Sequence, residues 1–246
     1  MATPDLGDIK IFGLGLQKTG LTSLLRLLQK CGLNARGTNL KIRRQFARRG
    51  DYQGVLDYYD SAQMFCDWPT PLMYKAAFAK YGPRARFILT VRKDADTWFD
   101  SLKRHNRYAH PILNKHRWVF GRYYPHGFDA EHKAYYERHN REVQEFFEAR
   151  GASDQLLVIR VDDPESIGKL AAFLGIQIPF ETFPRENVSA GNRRDIGSIF
   201  KWNYNKLALP LYERVAPRLS RGPVRQLVPI EVEVDSNGVL RPAVKR

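Results

Sequence analysis

The chain has 246 residues, with 40 lysines and arginines against 26 aspartates and glutamates, for a formal net charge of +14. That length predicts one domain with a substantial core, and the charge calls for acidic partners: nucleic acid, anionic lipid, anionic glycan or a polyanionic nucleotide. No apolar run reaches the ~18 residues of a membrane span, the first eight residues lack a signal peptide's basic start and apolar core, and Cys31 and Cys66 give neither a disulfide framework nor metal-ligand spacing. The expectation is a soluble, cytoplasmic, metal-free protein.

In chain order, residues 9–14 read as a short buried strand and residues 22–30 as a helix with apolar spacing, closed by Cys31-Gly32. A strand is expected within 58–65. A helix is expected over 71–81, with Thr70 as N-cap and Pro71 at its first position. Arg86 to Val91 is a continuous β-type run, the pattern of a buried parallel strand, followed by a helix from about Asp94 to Arg104. The aromatic and basic stretch 108–128 reads as a lid or substrate-facing insertion. Beyond it come a charged helix over 130–150, a strand over 156–161 and a helix over 166–174 stopped by Gly175. Two short strands at 230–234 and 239–241 flank the turn signal Asn237-Gly238. Alternating strands and helices predict an α/β fold, a single P-loop-type domain with a central parallel sheet flanked by helices. Its core covers about 9–195, and a C-terminal helix and hairpin appendage occupy 196–246.

Gly15-Leu16-Gln17-Lys18-Thr19-Gly20-Leu21-Thr22 lies between the first strand and helix. A nucleotide-hydrolase loop reads G-x-x-x-x-G-K-[ST]. Here the glycine spacing and the hydroxyl at Thr22 are kept, Leu21 replaces the lysine, and a lysine stands inside the loop at Lys18. Strand, loop and helix N-terminus offer backbone N–H groups and a positive dipole end to an anion. The cradle is intact, but the grip on β- and γ-phosphates is not, which favours a donor with one reactive group on a 5′-phosphate. A second site follows the later strand: Arg92 at its carboxyl end, where open α/β sheets place ligands, and Ser101 on the next helix. Together they form a candidate clamp for a second phosphate. Basic groups at Lys41-Ile42-Arg43-Arg44, Lys103 to Arg107, Lys115 to Arg117 and Arg193-Arg194 read individually as solvated helix faces.

These residues resemble the sulfotransferases that use 3′-phosphoadenosine 5′-phosphosulfate, in their bacterial-type branch. The segment from Gly15 to Leu24 is similar to that family's 5′-phosphosulfate loop, K-[TS]-G-T-[TS]-x-L. Phe87 to Arg92 with Ser101 is similar to its 3′-phosphate motif. The runs Phe173 to Pro179 and Phe183 to Asn187 resemble its tail. Leu21 departs from the usual threonine, and the arginine-to-serine spacing is nine where eight is usual. The resemblance implies a donor site of Gln17, Lys18, Thr19, Gly20, Leu21, Thr22, Ser23, Arg92 and Ser101. A late basic loop closes it, for which Arg193 and Arg194 are the candidates. The implied acceptor is a small molecule, lipid or glycan, with no specific nucleic acid.

Sulfuryl transfer is an in-line displacement in which negative charge grows on the leaving phosphate. Lys18 can neutralise that charge without a metal. The acceptor needs a base, and Asp67 in Phe65-Cys66-Asp67-Trp68-Pro69 falls where the related branch carries D-W-P. Apolar neighbours Phe65 and Trp68 are expected to raise its pKa, and Thr70 as helix cap leaves it free. A backbone-bonding structural aspartate is the alternative, with His105, His110 and His116 in reserve. The rival readings are a small-molecule P-loop kinase using ATP and Mg²⁺, a nucleotide-binding protein without chemistry, and a non-catalytic basic module for nucleic acid or anionic membrane.

Overall fold

The computed structural model describes residues 6–108, 116–120, 122, 124–184, 196–219, 229–234 and 240–242. In chain order these form β1 (Lys10–Gly13), α1 (Leu21–Lys30), β2 (Ala35–Gly37), α2 (Leu40–Arg49), α3 (Tyr52–Tyr58), β3 (Met64–Cys66), α4 (Tyr74–Tyr81), β4 (Ala85–Thr90) and α5 (Ala95–Asn106). Then follow α6 (His116–Phe120), α7 (Asp129–Glu148), β5 (Leu156–Ile159), α8 (Ser166–Leu174), α9 (Ile196–Leu219), β6 (Val232–Val234) and β7 (Leu240–Pro242). The chain falls into two compact units. One holds Met1–Val91, Asn140–Glu186 and Val228–Arg246; the other holds Arg92–His139 and Asn187–Leu227.

In the first unit, five parallel strands stand in the order β2-β3-β1-β4-β5. The fold class expected from the sequence, a central parallel sheet flanked by helices, is present. Register sorts the side chains by face, because residues two apart share one. Phe12 stands opposite both Phe65 and Phe87, and the three rings stack at 6.4 and 5.4 Å. Tyr59, Tyr81, Phe78 and Phe147 complete that aromatic layer. On the other face Ile11, Met64 and Ile88 pack with Leu24, Leu27 and Leu28 of α1 and Leu170 and Leu174 of α8. Each fully buried side chain of this kind contributes about 1.5–3 kcal/mol. Slipping β1 by one residue would exchange the two layers and lose both.

The departures from the expected elements are local. The strand sought within 58–65 is β3, beginning only at Met64, and Tyr59–Ser61 is a 3-10 turn. The helix expected from Pro71 starts at Tyr74, behind a 3-10 turn over Thr70–Leu72. Thr70 does not cap it: no side chain bonds the start of α4, and the Thr70 hydroxyl accepts from Tyr59 Oη at 3.0 Å. β2, α2 and α3 were not foreseen. β6 and β7 pair antiparallel, with Val232 opposite Pro242; Asn237-Gly238 lies outside the described residues. Ile230 N–H donates to Leu72 O at 2.9 Å, and Lys75 pairs with Glu231.

The second unit is helical. Asp94 caps α5, its carboxylate accepting from Thr97 N–H at 2.6 Å. Trp98 stacks on Tyr136 of α7 with ring centroids 4.6 Å apart. Asn205 of α9 is buried and bridges Arg107 O and Tyr124 Oη, each at 2.7 Å.

Candidate active site

The glycine loop is built by close packing rather than by glycine content alone. A Cβ on Gly15 would lie 2.0 Å from Thr90 Oγ1, 2.4 Å from Thr19 Oγ1 and 2.6 Å from Thr90 O. No side chain fits between the loop and the end of β4. Thr19 is fully buried; its hydroxyl donates to Leu16 O at 2.7 Å and accepts from Thr90 Oγ1 at 2.7 Å. Its N–H also reaches Leu16 O at 3.3 Å. Thr19 is therefore a tie that fixes the loop, its hydroxyl turned inward to Leu16 and Thr90.

Between these anchors the loop holds Lys18 at φ +72°, a left-handed conformation that costs a non-glycine residue roughly 1–2 kcal/mol. Such a conformation persists only where its surroundings over-determine it, and the Leu16–Thr19–Thr90 bonds do so. Gly20, at φ +107°, turns the chain into α1 as its N-cap, where a Cβ would meet Val161 at 2.5 Å. A glycine cap has no side-chain acceptor, no side-chain bond caps α1, and no acidic residue stands in its first turn. The first bond closing the helix runs from Leu24 N–H to Gly20 O at 3.0 Å. The N–H groups of Leu21, Thr22 and Ser23 precede it and carry the positive end of the helix dipole. Leu21 is buried in the core beneath the loop, Thr22 is exposed, Ser23 is buried, and Gln17 and Lys18 are half-buried.

Asp67 lies one residue past the carboxyl end of β3, the strand beside β1. It too is left-handed, at φ +76°. Its Oδ2 accepts from Arg43 Nη2, and its Oδ1 from Trp68 N–H at 3.2 Å. Arg43 also donates through Nε to Thr38 O at 2.8 Å, bracing the end of β2 against the same carboxylate. The apolar surroundings expected for Asp67 are not what its carboxylate meets. Phe65 is spent in the aromatic layer, Trp68 packs edge-on to Phe46 at 5.3 Å, and a guanidinium faces the carboxylate. Arg43 is the residue that the sequence reading passed over. Its signal was the basic group 41–44 after Asn39, whose side chain caps α2 by accepting from Ile42 N–H at 3.0 Å.

Arg92 and Ser101 belong to the second unit. Arg92 is half-buried, its N–H donating to Tyr136 Oη at 2.8 Å, and Ser101 is buried on α5. Arg193, Arg194 and His110 lie outside the described residues. Of the reserve histidines, His105 is exposed. His116 is buried against His132, Nε2 to Nε2 3.2 Å, and burial drives its pKa well below the usual histidine value. Such a group is poorly placed to serve a solvent-borne acceptor.

A parallel sheet whose inner strand feeds a glycine loop and an uncapped helix N-terminus places the chain in the class of α/β folds whose first turn can receive a phosphate. Within that class the chain belongs to the sulfotransferases: the family model described as a sulfotransferase domain matches residues 10–191. Sulfuryl transfer is the chemistry of that family. No curated protein matches the chain.

Proposed function

We propose that the protein transfers the sulfuryl group of 3′-phosphoadenosine 5′-phosphosulfate to a hydroxyl or amine of a small-molecule, lipid or glycan acceptor. One observation carries the reading. The first turn of α1 has neither a capping side chain nor an acidic residue, although a Ser, Thr, Asp or Asn cap would have stabilised the helix by about 1 kcal/mol. A helix start left in this state beside a left-handed lysine suits an anion.

In this reading the N–H groups of Leu21, Thr22 and Ser23 hold the 5′-phosphate, and Lys18 neutralises the charge that gathers on it as the sulfur–oxygen bond breaks. Thr19 keeps both in position from below. Arg92 and Ser101 take the 3′-phosphate and Arg193 and Arg194 cover the nucleotide, as the family resemblance implies. Asp67 receives the acceptor's proton, with Arg43 and Trp68 N–H fixing the carboxylate's direction. Against the kinase alternative stands Leu21, which packs in the core at the position where a nucleotide-hydrolase loop carries its lysine.

The test is calorimetric titration with 3′-phosphoadenosine 5′-phosphate, with ATP and Mg²⁺ as control. The expected result is metal-independent binding, weakened at least tenfold or so in Lys18→Ala and in Arg92→Ala, as loss of a charge-assisted contact implies. Binding of ATP with Mg²⁺ alone, or of neither nucleotide, would end the proposal.

A further inference from the structure

The helix α9 carries a feature that the donor site does not use. Its inward side is set by Asn205 and Leu209, both buried, with Tyr212 edge-on to Tyr124 at 5.3 Å. The other side bears Phe200, Tyr204, Leu207, Leu211 and Val215, steps of four, three, four and four that keep them on one stripe. All five are exposed, Phe200 by 65%, Leu207 by 80% and Leu211 by 65%. Single exposed apolar residues are ordinary; a continuous row of them marks a surface with a partner.

Charge selects the partner. Over Ile196–Leu219 the helix has four basic residues, Lys201, Lys206, Arg214 and Arg218, and one acidic residue, Glu213. The chain as a whole carries +14. Two copies meeting along this stripe would bring like charges together, whereas an anionic lipid surface meets the cations with headgroups and the apolar row with acyl chains. No helix among the described residues is long and apolar enough to cross a membrane, so insertion would be shallow. We propose that α9 is a membrane-docking helix that lies flat in the surface of an anionic bilayer, presenting the second unit to it. This stands apart from the identity of the sulfuryl donor.

The experiment is flotation of the full-length protein with vesicles of phosphatidylcholine alone and of phosphatidylcholine mixed with phosphatidylglycerol. The protein should float with the mixed vesicles and not with the neutral ones. The triple variant Phe200→Gln, Leu207→Gln, Leu211→Gln should lose at least about tenfold in partitioning, since three apolar side chains leave the lipid. A second variant, Lys201→Gln with Arg214→Gln and Arg218→Gln, should also bind less while leaving the apolar row intact. Unchanged binding of 3′-phosphoadenosine 5′-phosphate would show that either variant is folded; if both lose it, equal helical circular dichroism serves the same purpose. Failure to float, equal flotation with neutral vesicles, or wild-type flotation of the triple variant would overturn the proposal. So would a dimer in analytical ultracentrifugation that the triple variant abolishes, which would assign the row to a second copy of the chain.

Discussion

Replacing Gly15 with alanine tests the loop's construction at its tightest point. Gly15 does not have a positive φ, so the alanine backbone is allowed and only space opposes it. The new Cβ would stand 2.0 and 2.4 Å from two hydroxyls bonded to each other, and 2.6 Å from the carbonyl of Thr90. None of these is the free end of a flexible side chain, so loop or strand must move. Overpacking of this kind costs about 1–3 kcal/mol, and a contact this short belongs at the upper end. Alanine regains up to ~1 kcal/mol by restricting the unfolded chain. The net loss is about 2 kcal/mol, or some 4–8 °C in melting temperature for a chain of this size. Differential scanning calorimetry reads that directly. Affinity for 3′-phosphoadenosine 5′-phosphate should fall further than stability, because the displaced element is the one that holds Lys18. Adding Thr90→Ala removes the nearest oxygen but leaves Thr19 Oγ1 and the Thr90 carbonyl, so it should restore only part of the loss. A Gly15→Ala protein with wild-type melting temperature and affinity would refute the interlocked loop.

Four further outcomes are expected. Lys18→Gly removes the charge and relieves the left-handed backbone, so melting temperature should hold or rise while the transfer rate falls by about 10²–10³; a parallel fall in both would contradict the division of roles. Asp67→Asn keeps an oxygen for Trp68 N–H and should cut turnover by about 10²–10⁴ if the carboxylate takes the proton. Arg43→Gln should depress turnover less, because Trp68 N–H still holds Oδ1, and unchanged turnover would leave Arg43 a purely structural brace. Acid should weaken the second unit. Burial, then the neighbouring Lys103 and Arg107 charges, lower the His126 pKa from 6.5 to about 4, and burial also lowers those of His116 and His132. His132 Nδ1–H faces Phe128 O at 2.7 Å, so its Nε2 accepts from His116; a further proton would set two N–H groups against each other. The folded state thus binds fewer protons than the unfolded one between about pH 6.5 and 4. Stability is full above the unfolded value and drains as pH falls through that window, by roughly 3 kcal/mol for His126 alone. Urea unfolding followed across pH 4–7 should show the fall, smaller in His126→Gln.

What could be read from the sequence follows what kind of force builds each part. β1, α1, β4, α5 and α8 carry continuous apolar runs or strong helical spacing with clear stops, and they stand within a residue or two of expectation. β2 is three residues at the sheet edge, Ala-Arg-Gly, with too little pattern to distinguish it from a turn. α2, rich in arginine, takes its place from the Asn39 cap and from packing such as Phe46 against Trp68. Hence Arg43 looked like one cation among several. Only the arrival of β3 beside β2 brings Asp67 into its reach, and no spacing rule covers a sequence separation of 24. Thr70 failed for a related reason: its hydroxyl is claimed by Tyr59, eleven residues earlier.

The position of the lysine inside the loop now has a physical account. In this chain the first residue of α1 is a core residue, because Leu21 packs with the layer that seals α1 against β1. A cation there would be buried without a partner or would pull the helix off the sheet. The loop instead supplies its charge three residues earlier, at Lys18, and accepts a left-handed backbone to do so. That cost, roughly 1–2 kcal/mol, is comparable to what two good buried hydrogen bonds contribute, and Thr19 makes two, one to Leu16 and one to Thr90. Core packing at Leu21, strain at Lys18 and the buried hydroxyl pair are therefore one arrangement. Thr90→Val should expose the connection, since it spares the volume of the side chain but removes the donor to Thr19. Donor affinity should then drop although Thr90 is fully buried beneath the loop; an unchanged affinity would mean that the strained lysine is held by something else.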